Sequence, residues 1–136
     1  MAHADAVIHA GDFVTVSVLE EIESLGRPVH AVHGNVDEPE LRRRLPATLE
    51  VELAGMRVAV VHDAGPRGGR ARRLRELFPE ADCVIFGHTH VPEHTRLTSF
   101  EIFNPGSPTE RRRAPNRSMG ILEIAGREPR FRHIPL

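Results

Sequence analysis

Four short apolar runs, each followed closely by polar residues, constrain the fold of this chain more than any other feature. The runs are rich in valine and isoleucine, which is typical of strands that are covered on both faces. They span residues 5–9, 29–33, 58–61 and 84–86, and the polar residues after them are Asp12, Asn35, His62, His88 and His90. In open α/β sheets, ligands bind beyond the carboxyl ends of the strands. We therefore expect these five side chains to meet at one site.

The last run leads into Gly87-His88-Thr89-His90. In extended backbone, side chains two residues apart share a face, so this spacing predicts that both imidazoles face one pocket while Thr89 points away. The alternative is a pair of surface histidines in a loop, because a lone His-x-His pattern is permissive. Glycine precedes both Asn35 and His88, and it would let the backbone turn tightly so that the next side chain enters the site.

Composition narrows the class of protein. The chain has 136 residues, 40% hydrophobic and 27% charged, which fits one globular domain spanning residues 1–136. Its net charge of -1 gives no field that would draw it to nucleic acid or to an anionic membrane. A single cysteine, Cys83, excludes a disulfide framework, and we see no signal peptide and no membrane-spanning apolar run. We expect a cytoplasmic protein that does not bind membranes.

The remaining pattern alternates helices and strands. Helices are predicted over residues 14–25, 38–45 and 70–78, hairpins over 49–61 and 119–134, and short strands over 94–97 and 100–103. In the third helix the spacing places Ala71, Leu74, Leu77 and Phe78 inward and Arg72, Arg73 and Arg75 toward solvent. A turn is predicted at Asn104-Pro105-Gly106-Ser107.

The residue types at the strand ends indicate metal chemistry. Asp, Asn and His without cysteine form a mixed nitrogen and oxygen set, which suits Mn, Fe or Zn better than a structural thiolate site. A carboxylate such as Asp12 can bridge two cations, and two cations about 3.5–4 Å apart can clamp the attacking and leaving oxygens of a phosphoryl displacement. No Ser-His-Asp arrangement, Walker loop or GxGxxG motif competes with this interpretation.

Five motifs in order give the chain a family resemblance. They are Gly11-Asp12, Gly34-Asn35-Val36-Asp37, His62, Gly87-His88-Thr89-His90 and Asn104-Pro105-Gly106-Ser107. With them the chain resembles the calcineurin-like metallophosphoesterases, and most of all their small YfcE-like phosphodiesterases. The resemblance implies a four-layer α-β-β-α sandwich that hydrolyses small phosphodiesters with two divalent metal ions. We expect manganese, with iron, nickel and zinc as alternatives.

The same resemblance implies roles for individual residues. Asp12 would bridge the two metals, Asn35, His62 and His88 would complete the ligands of one metal, and His90 would bind the other. We expect Asp12, Asn35 and His88 to be catalytic, and Asn35 and His62 also to contact the substrate.

Three departures from the family pattern qualify this picture. No aspartate here is followed two residues later by histidine, so we expect the family's first strand and helix, with two further ligands, to be missing from this sequence. One metal site is then complete and the other has only Asp12 and His90. A misassigned start codon explains this better than a deletion, and the sheet edge left bare predicts a homo-oligomer. Val36 stands where many members of the superfamily, though often not the YfcE-like branch, carry a catalytic histidine. Asp63-Ala64 stands where this branch usually has Gly-His.

For the other candidate residues, we favour a structural role over a functional one. We expect His9, His30 and His33 to be packed or at the surface, and His94 more often structural than in contact with substrate. Arg67 and Arg70 could hold a phosphate, although a solvated helix face is favoured. The short basic run Arg111 to Arg113 does not indicate a nucleic-acid-binding protein. We expect nucleic acid to bind only if it is a substrate. The main alternative to an enzyme is a non-catalytic metal-binding or scaffold module of the same fold.

Overall fold

The fold is taken from a computed structural model that describes residues 5–11, 16–35, 37–107, 117–126 and 128–136. Within these ranges the helices are α1 (Val16–Glu23), α2 (Pro39–Arg44) and α3 (Arg70–Leu77). The strands are β1 (Val7–His9), β2 (Val29–Ala31), β3 (Thr48–Leu53), β4 (Met56–Val61), β5 (Cys83–Phe86), β6 (Glu93–Leu97), β7 (Phe100–Asn104), β8 (Ser118–Ala125) and β9 (Glu128–Pro135). The predicted elements are therefore present, and α1 ends at Glu23, two residues before the predicted end at Leu25.

A five-stranded sheet forms the centre, in the order β3-β4-β5-β7-β6. Its three inner strands are parallel, and β3 and β6 run antiparallel to them at the edges. All four residues of β5 and all of β4 except Arg57 are buried, as the valine-rich runs predicted for strands covered on both faces. The β3–β4 hairpin turns through Ala54 and Gly55, whose φ angles of 49° and 84° match the left-handed turns that such hairpins prefer.

Each face of this sheet is covered by a different layer. On one face, α3 packs Leu74 and Phe78 against side chains of β4, β5 and β7, including the fully buried Phe86. On the other, Val58, Cys83 and Ile85 contact residues of β1 and of the β8–β9 hairpin. The parallel pair β1–β2 is in turn covered by α1 and α2, through a cluster around Leu19 and Leu41. The layers run helix, sheet, sheet, helix, so the predicted four-layer α-β-β-α sandwich is confirmed.

Three details of the sequence interpretation are wrong. The four strand ends do not belong to one open sheet, because β1 and β2 pair with each other while β4 and β5 lie in the five-stranded sheet. In α3 the buried stripe follows i, i+4, i+8 spacing through Arg70, Leu74 and Phe78, so Leu77 is 57% exposed. Arg70 is buried at the position predicted for a solvated face, because Glu93 compensates its charge.

No helix in the described part of the chain is long and apolar enough to cross a membrane.

The thiol of Cys83 should be inert in the folded protein. Burial raises its pKa to about 12, and the neighbouring carboxylates of Asp82 and Glu101 add to the rise. Since only the thiolate attacks alkylating agents, roughly one molecule in 10⁴ is reactive at pH 8. We expect iodoacetamide to leave Cys83 unmodified in native protein and to label it fully in urea, as measured by mass spectrometry. Rapid labelling without denaturant would contradict the burial of this strand.

Candidate metal centre

The ends of two neighbouring parallel strands bring His62 and His88 together. Val61 and Phe86, the last residues of β4 and β5, are register partners. The next residues continue the pairing, because the Gly87 amide donates to the His62 carbonyl at 2.9 Å. The imidazoles of His62 and His88 then meet edge to face, with ring centroids 5.1 Å apart. The closeness of these two candidate ligands therefore results from the pairing of β4 with β5 in the central sheet.

Asn35 reaches the same point from the second sheet. It lies in the loop after β2, and its Oδ1 is 2.8 Å from His62 Nε2 and 3.2 Å from His88 Nδ1. The two imidazole nitrogens are themselves 3.3 Å apart. The structure thus brings Asn35, His62 and His88, the predicted ligand set of one metal, into a single cluster.

The cluster fits a divalent cation by geometry. Ligand atoms about 2.1 Å from a metal and at right angles to each other lie about 3.0 Å apart. The three separations between Asn35 Oδ1, His62 Nε2 and His88 Nδ1, which are 2.8, 3.2 and 3.3 Å, bracket that value.

The chemistry of these atoms also suits a cation. His62 Nδ1 is 2.7 Å from the carbonyl oxygen of Ala10, which can only accept, so Nδ1 carries the hydrogen. In the neutral ring, Nε2 then presents a lone pair to the lone pairs of Asn35 Oδ1. A shared metal ion would satisfy all three facing atoms at once.

Backbone and side-chain contacts hold the Asn35 loop in place. The buried carboxylate of Asp37 accepts a hydrogen bond from the Gly34 amide at 2.6 Å. The Arg42 guanidinium, on α2, donates to the Asn35 carbonyl at 2.8 Å. Asp37 belongs to a recognised motif, whereas nothing in the sequence around Arg42 pointed to this contact.

The loop that carries His88 is braced by Asn104, which is fully buried at the end of β7. Its amide donates to the Gly87 carbonyl at 3.2 Å and to the Thr89 hydroxyl at 3.1 Å, and its Oδ1 accepts from the Gly106 amide at 2.9 Å. The Asn-Pro-Gly-Ser motif predicted a turn here, and the structure shows that the turn also supports the histidine loop.

The prediction of extended backbone at His88 and His90 is wrong. His88 and His90 have φ angles of 69° and 61°, so the backbone is left-handed there and not extended. His88 reaches the cluster because the loop turns sharply after Gly87. His90 lies half-buried in the same loop, and its role as ligand of a second metal stays a prediction.

Asp12, the predicted bridging carboxylate, and Val36 lie outside the described residues. The described residues contain no group of three or more His, Cys, Asp or Glu side chains arranged for a metal, because the cluster has two histidines and an asparagine. Gly11, directly before Asp12, packs against the cluster, since a Cβ built on it would lie 2.8 Å from His62 Nδ1.

Two other candidate residues have structural partners. Arg70 is paired with Glu93 and donates to the Gly65 carbonyl at 2.9 Å. Its guanidinium is therefore neither available to hold a phosphate nor part of a solvated helix face. His94 Nε2 lies 2.7 Å from Glu101 Oε2, and its ring packs edge-on against Phe103 and Phe131. Arg67 is exposed, and a phosphate contact there stays a prediction.

Comparison with known proteins decides the family. The model of the calcineurin-like phosphoesterase superfamily domain matches residues 1–127. The chain belongs to this superfamily. A probable metallophosphoesterase of Methanothermobacter thermautotrophicus is 37% identical to this phosphoesterase domain over 125 residues, which is 90% of the chain and 70% of the relative. A phosphodiesterase of Methanocaldococcus jannaschii is 25% identical over 118 residues, covering 76% of the chain and 68% of the relative.

A solved structure of the same fold contains zinc. The wild-type Vps29 of Entamoeba histolytica, complexed with Zn²⁺, superimposes on the phosphoesterase domain with a TM-score of 0.74. The superposition covers 96% of this chain and 82% of Vps29, at 23% identity, so the likeness concerns the fold alone. The domain spans 55% to 70% of the length of three curated relatives that it matches.

Proposed function

We propose that this chain is a metal-dependent phosphodiesterase in which Asn35, His62 and His88 hold one divalent metal ion. The observation that carries the proposal is the approach of three ligand atoms to within 2.8–3.3 Å of one another at the strand ends. Membership of the phosphoesterase superfamily supports the reaction class. In the same proposal, Asp12 and His90 contribute to a second metal site beside the first.

Each residue of the cluster has a separate task. His62 is oriented by its hydrogen bond to the Ala10 carbonyl, which fixes Nε2 toward Asn35. Asn35 is positioned by Arg42, and His88 by the loop that Asn104 braces. A bound divalent cation would supply Lewis acidity toward a phosphate oxygen and make water a nucleophile at neutral pH. These contacts preorganise the ligands, so less reorganisation is required when the substrate binds.

The proposed metal is manganese, and the proposed substrate is a small phosphodiester. Nitrogen and oxygen donors without thiolate suit Mn²⁺, with Fe, Ni and Zn as alternatives. A homo-oligomer also stays a prediction, which light scattering in solution would measure.

Loss of one ligand should abolish the activity. We expect His62→Ala to lower Mn²⁺-dependent hydrolysis of a chromogenic phosphodiester by at least about 100-fold, since ligand loss removes the cation that carries the chemistry. The matched control is His30→Ala, which removes a half-buried histidine of β2 with no described contact to the cluster. Equal activity of both variants and the wild type would overturn the proposed site.

A scaffold role is the second candidate, because no aspartate in the sequence is followed two residues later by histidine, the pair that the family resemblance implies as ligands of the second metal. A scaffold could retain metal binding without turnover. Isothermal titration with Mn²⁺ alongside the hydrolysis assay separates the two functions. Metal binding with no hydrolysis of any phosphodiester tested would favour the scaffold.

A further inference from the structure

The two histidines of the cluster use opposite ring nitrogens. His62 turns Nε2 toward Asn35 and His88 turns Nδ1 toward it, so the outer nitrogens are His62 Nδ1 and His88 Nε2. The outer nitrogen of His62 is held by the Ala10 carbonyl at 2.7 Å. The outer nitrogen of His88 faces the carboxylate of Asp63, with Nε2 4.0 Å from Oδ2. Histidines that bind metals commonly have such an outer partner, which sets the tautomer and the ring orientation.

Asp63 is itself held in this position. Its other oxygen, Oδ1, accepts a hydrogen bond from the Gly65 amide at 2.8 Å, so the carboxylate closes a turn over its own backbone. Two arginines of α3 fix the carbonyls of the same turn, since Arg73 donates to Ala64 at 2.8 Å and Arg70 to Gly65 at 2.9 Å. The oxygen that faces His88 therefore sits on a braced loop, although the side chain is 57% exposed.

We propose that Asp63 is a positioning residue that favours the His88 tautomer with hydrogen on Nε2 and the lone pair on Nδ1. Without a metal, Asn35 Oδ1 and His62 Nε2 face His88 Nδ1 at 3.2 and 3.3 Å and favour hydrogen on Nδ1, so the Asp63 carboxylate shifts the balance toward the form that binds a cation. This inference rests on the proposed function, because the lone pair on Nδ1 is the one that would bind the metal. At 4.0 Å the contact is longer than a hydrogen bond, so the carboxylate acts through its charge. Since solvent screens this exposed pair, we expect about a tenfold effect on metal affinity, at the lower end of outer-partner effects.

Two substitutions separate the charge from the turn. Asp63→Asn keeps an oxygen for the Gly65 amide and turns an amide N–H toward His88 Nε2, which favours the opposite tautomer. Asp63→Ala removes both contacts. The matched control is Asp82→Asn, because Asp82 is also exposed and accepts a backbone hydrogen bond, from the Arg57 amide at 2.8 Å, outside the cluster.

Mn²⁺ affinity measured by isothermal titration is the first test. We expect Asp63→Asn and Asp63→Ala both to bind Mn²⁺ about tenfold more weakly than the wild type, and Asp82→Asn to match the wild type. If Asp63→Asn bound Mn²⁺ with wild-type affinity, only the hydrogen bond from the Gly65 amide would matter, and the proposal would be overturned.

The tautomer of His88 in the metal-free protein is the second test. Long-range ¹H–¹⁵N spectra at pH 8 report which ring nitrogen carries hydrogen, and a His88→Gln variant assigns the signals. We expect the fraction of His88 with hydrogen on Nε2 to be larger in the wild type than in Asp63→Asn; equal fractions in the two proteins would overturn the proposal. If the wild type binds no Mn²⁺, the proposed function fails, yet this comparison still decides the role of Asp63.

Discussion

Replacing Arg70 by alanine is expected to lower the free energy of unfolding by about 3–5 kcal/mol, the usual cost of breaking a buried ion pair. The Arg70 side chain is only 7% exposed and pairs with Glu93, which is 18% exposed. The guanidinium also donates to the Gly65 carbonyl and lies 5.0 Å from the centroid of the Phe86 ring. Removing it leaves a largely buried carboxylate without its partner. Urea unfolding followed by circular dichroism measures the change.

Arg72→Ala is the matched control for this prediction. Arg72 lies on the same helix, is exposed, and forms no ion pair with the described residues. Its replacement should change the free energy of unfolding by less than about 0.5 kcal/mol, as for ordinary surface substitutions. Similar midpoints for the two variants would mean that Arg70 is solvated, as the sequence pattern alone indicated.

Replacing Gly11 by alanine is expected to lower the hydrolytic activity at least about 100-fold, because small displacements of catalytic groups have effects of this size. Gly11 has a φ angle of 100°, which L side chains rarely adopt, and a Cβ there would lie 2.8 Å from both His62 Nδ1 and the Gly34 amide nitrogen. Neither the His62 ring nor the Gly34 backbone can move aside without displacing the cluster. Manganese-dependent turnover and Mn²⁺ affinity should both fall.

Gly26→Ala is the control that introduces backbone strain without a steric clash. Gly26 also has a positive φ, 75°, but a Cβ there meets nothing within 4 Å. We expect this variant to lose some stability and to keep wild-type turnover of the phosphodiester. Wild-type activity in Gly11→Ala would contradict the packing of Gly11 against His62, whereas a loss in both variants would point to general destabilisation.

Local pattern was sufficient for the secondary structure and for the meeting of three of the five predicted site residues. The β3–β4 hairpin follows from its alternating residues and its Ala54-Gly55 turn, and β5 from its apolar run. The polar residues after the strands were sufficient to predict that Asn35, His62 and His88 would meet. The ends of the parallel strands β4 and β5 bring His62 and His88 together at one sheet edge, whereas Asn35 arrives from the second sheet. Motif order was sufficient for the family, which the comparison confirmed.

The sequence alone determined which residues could form the site, since strand periodicity and ligand chemistry are local properties. The tertiary structure alone decided how they meet. It placed β1 and β2 in a separate sheet, gave His88 and His90 left-handed backbone, and buried Arg70 beside Glu93. It also selected the outer contacts, Ala10 for His62 and Asp63 for His88. These features depend on contacts between residues far apart in the chain, such as the 52 positions that separate His62 from Ala10, and no local pattern encodes them.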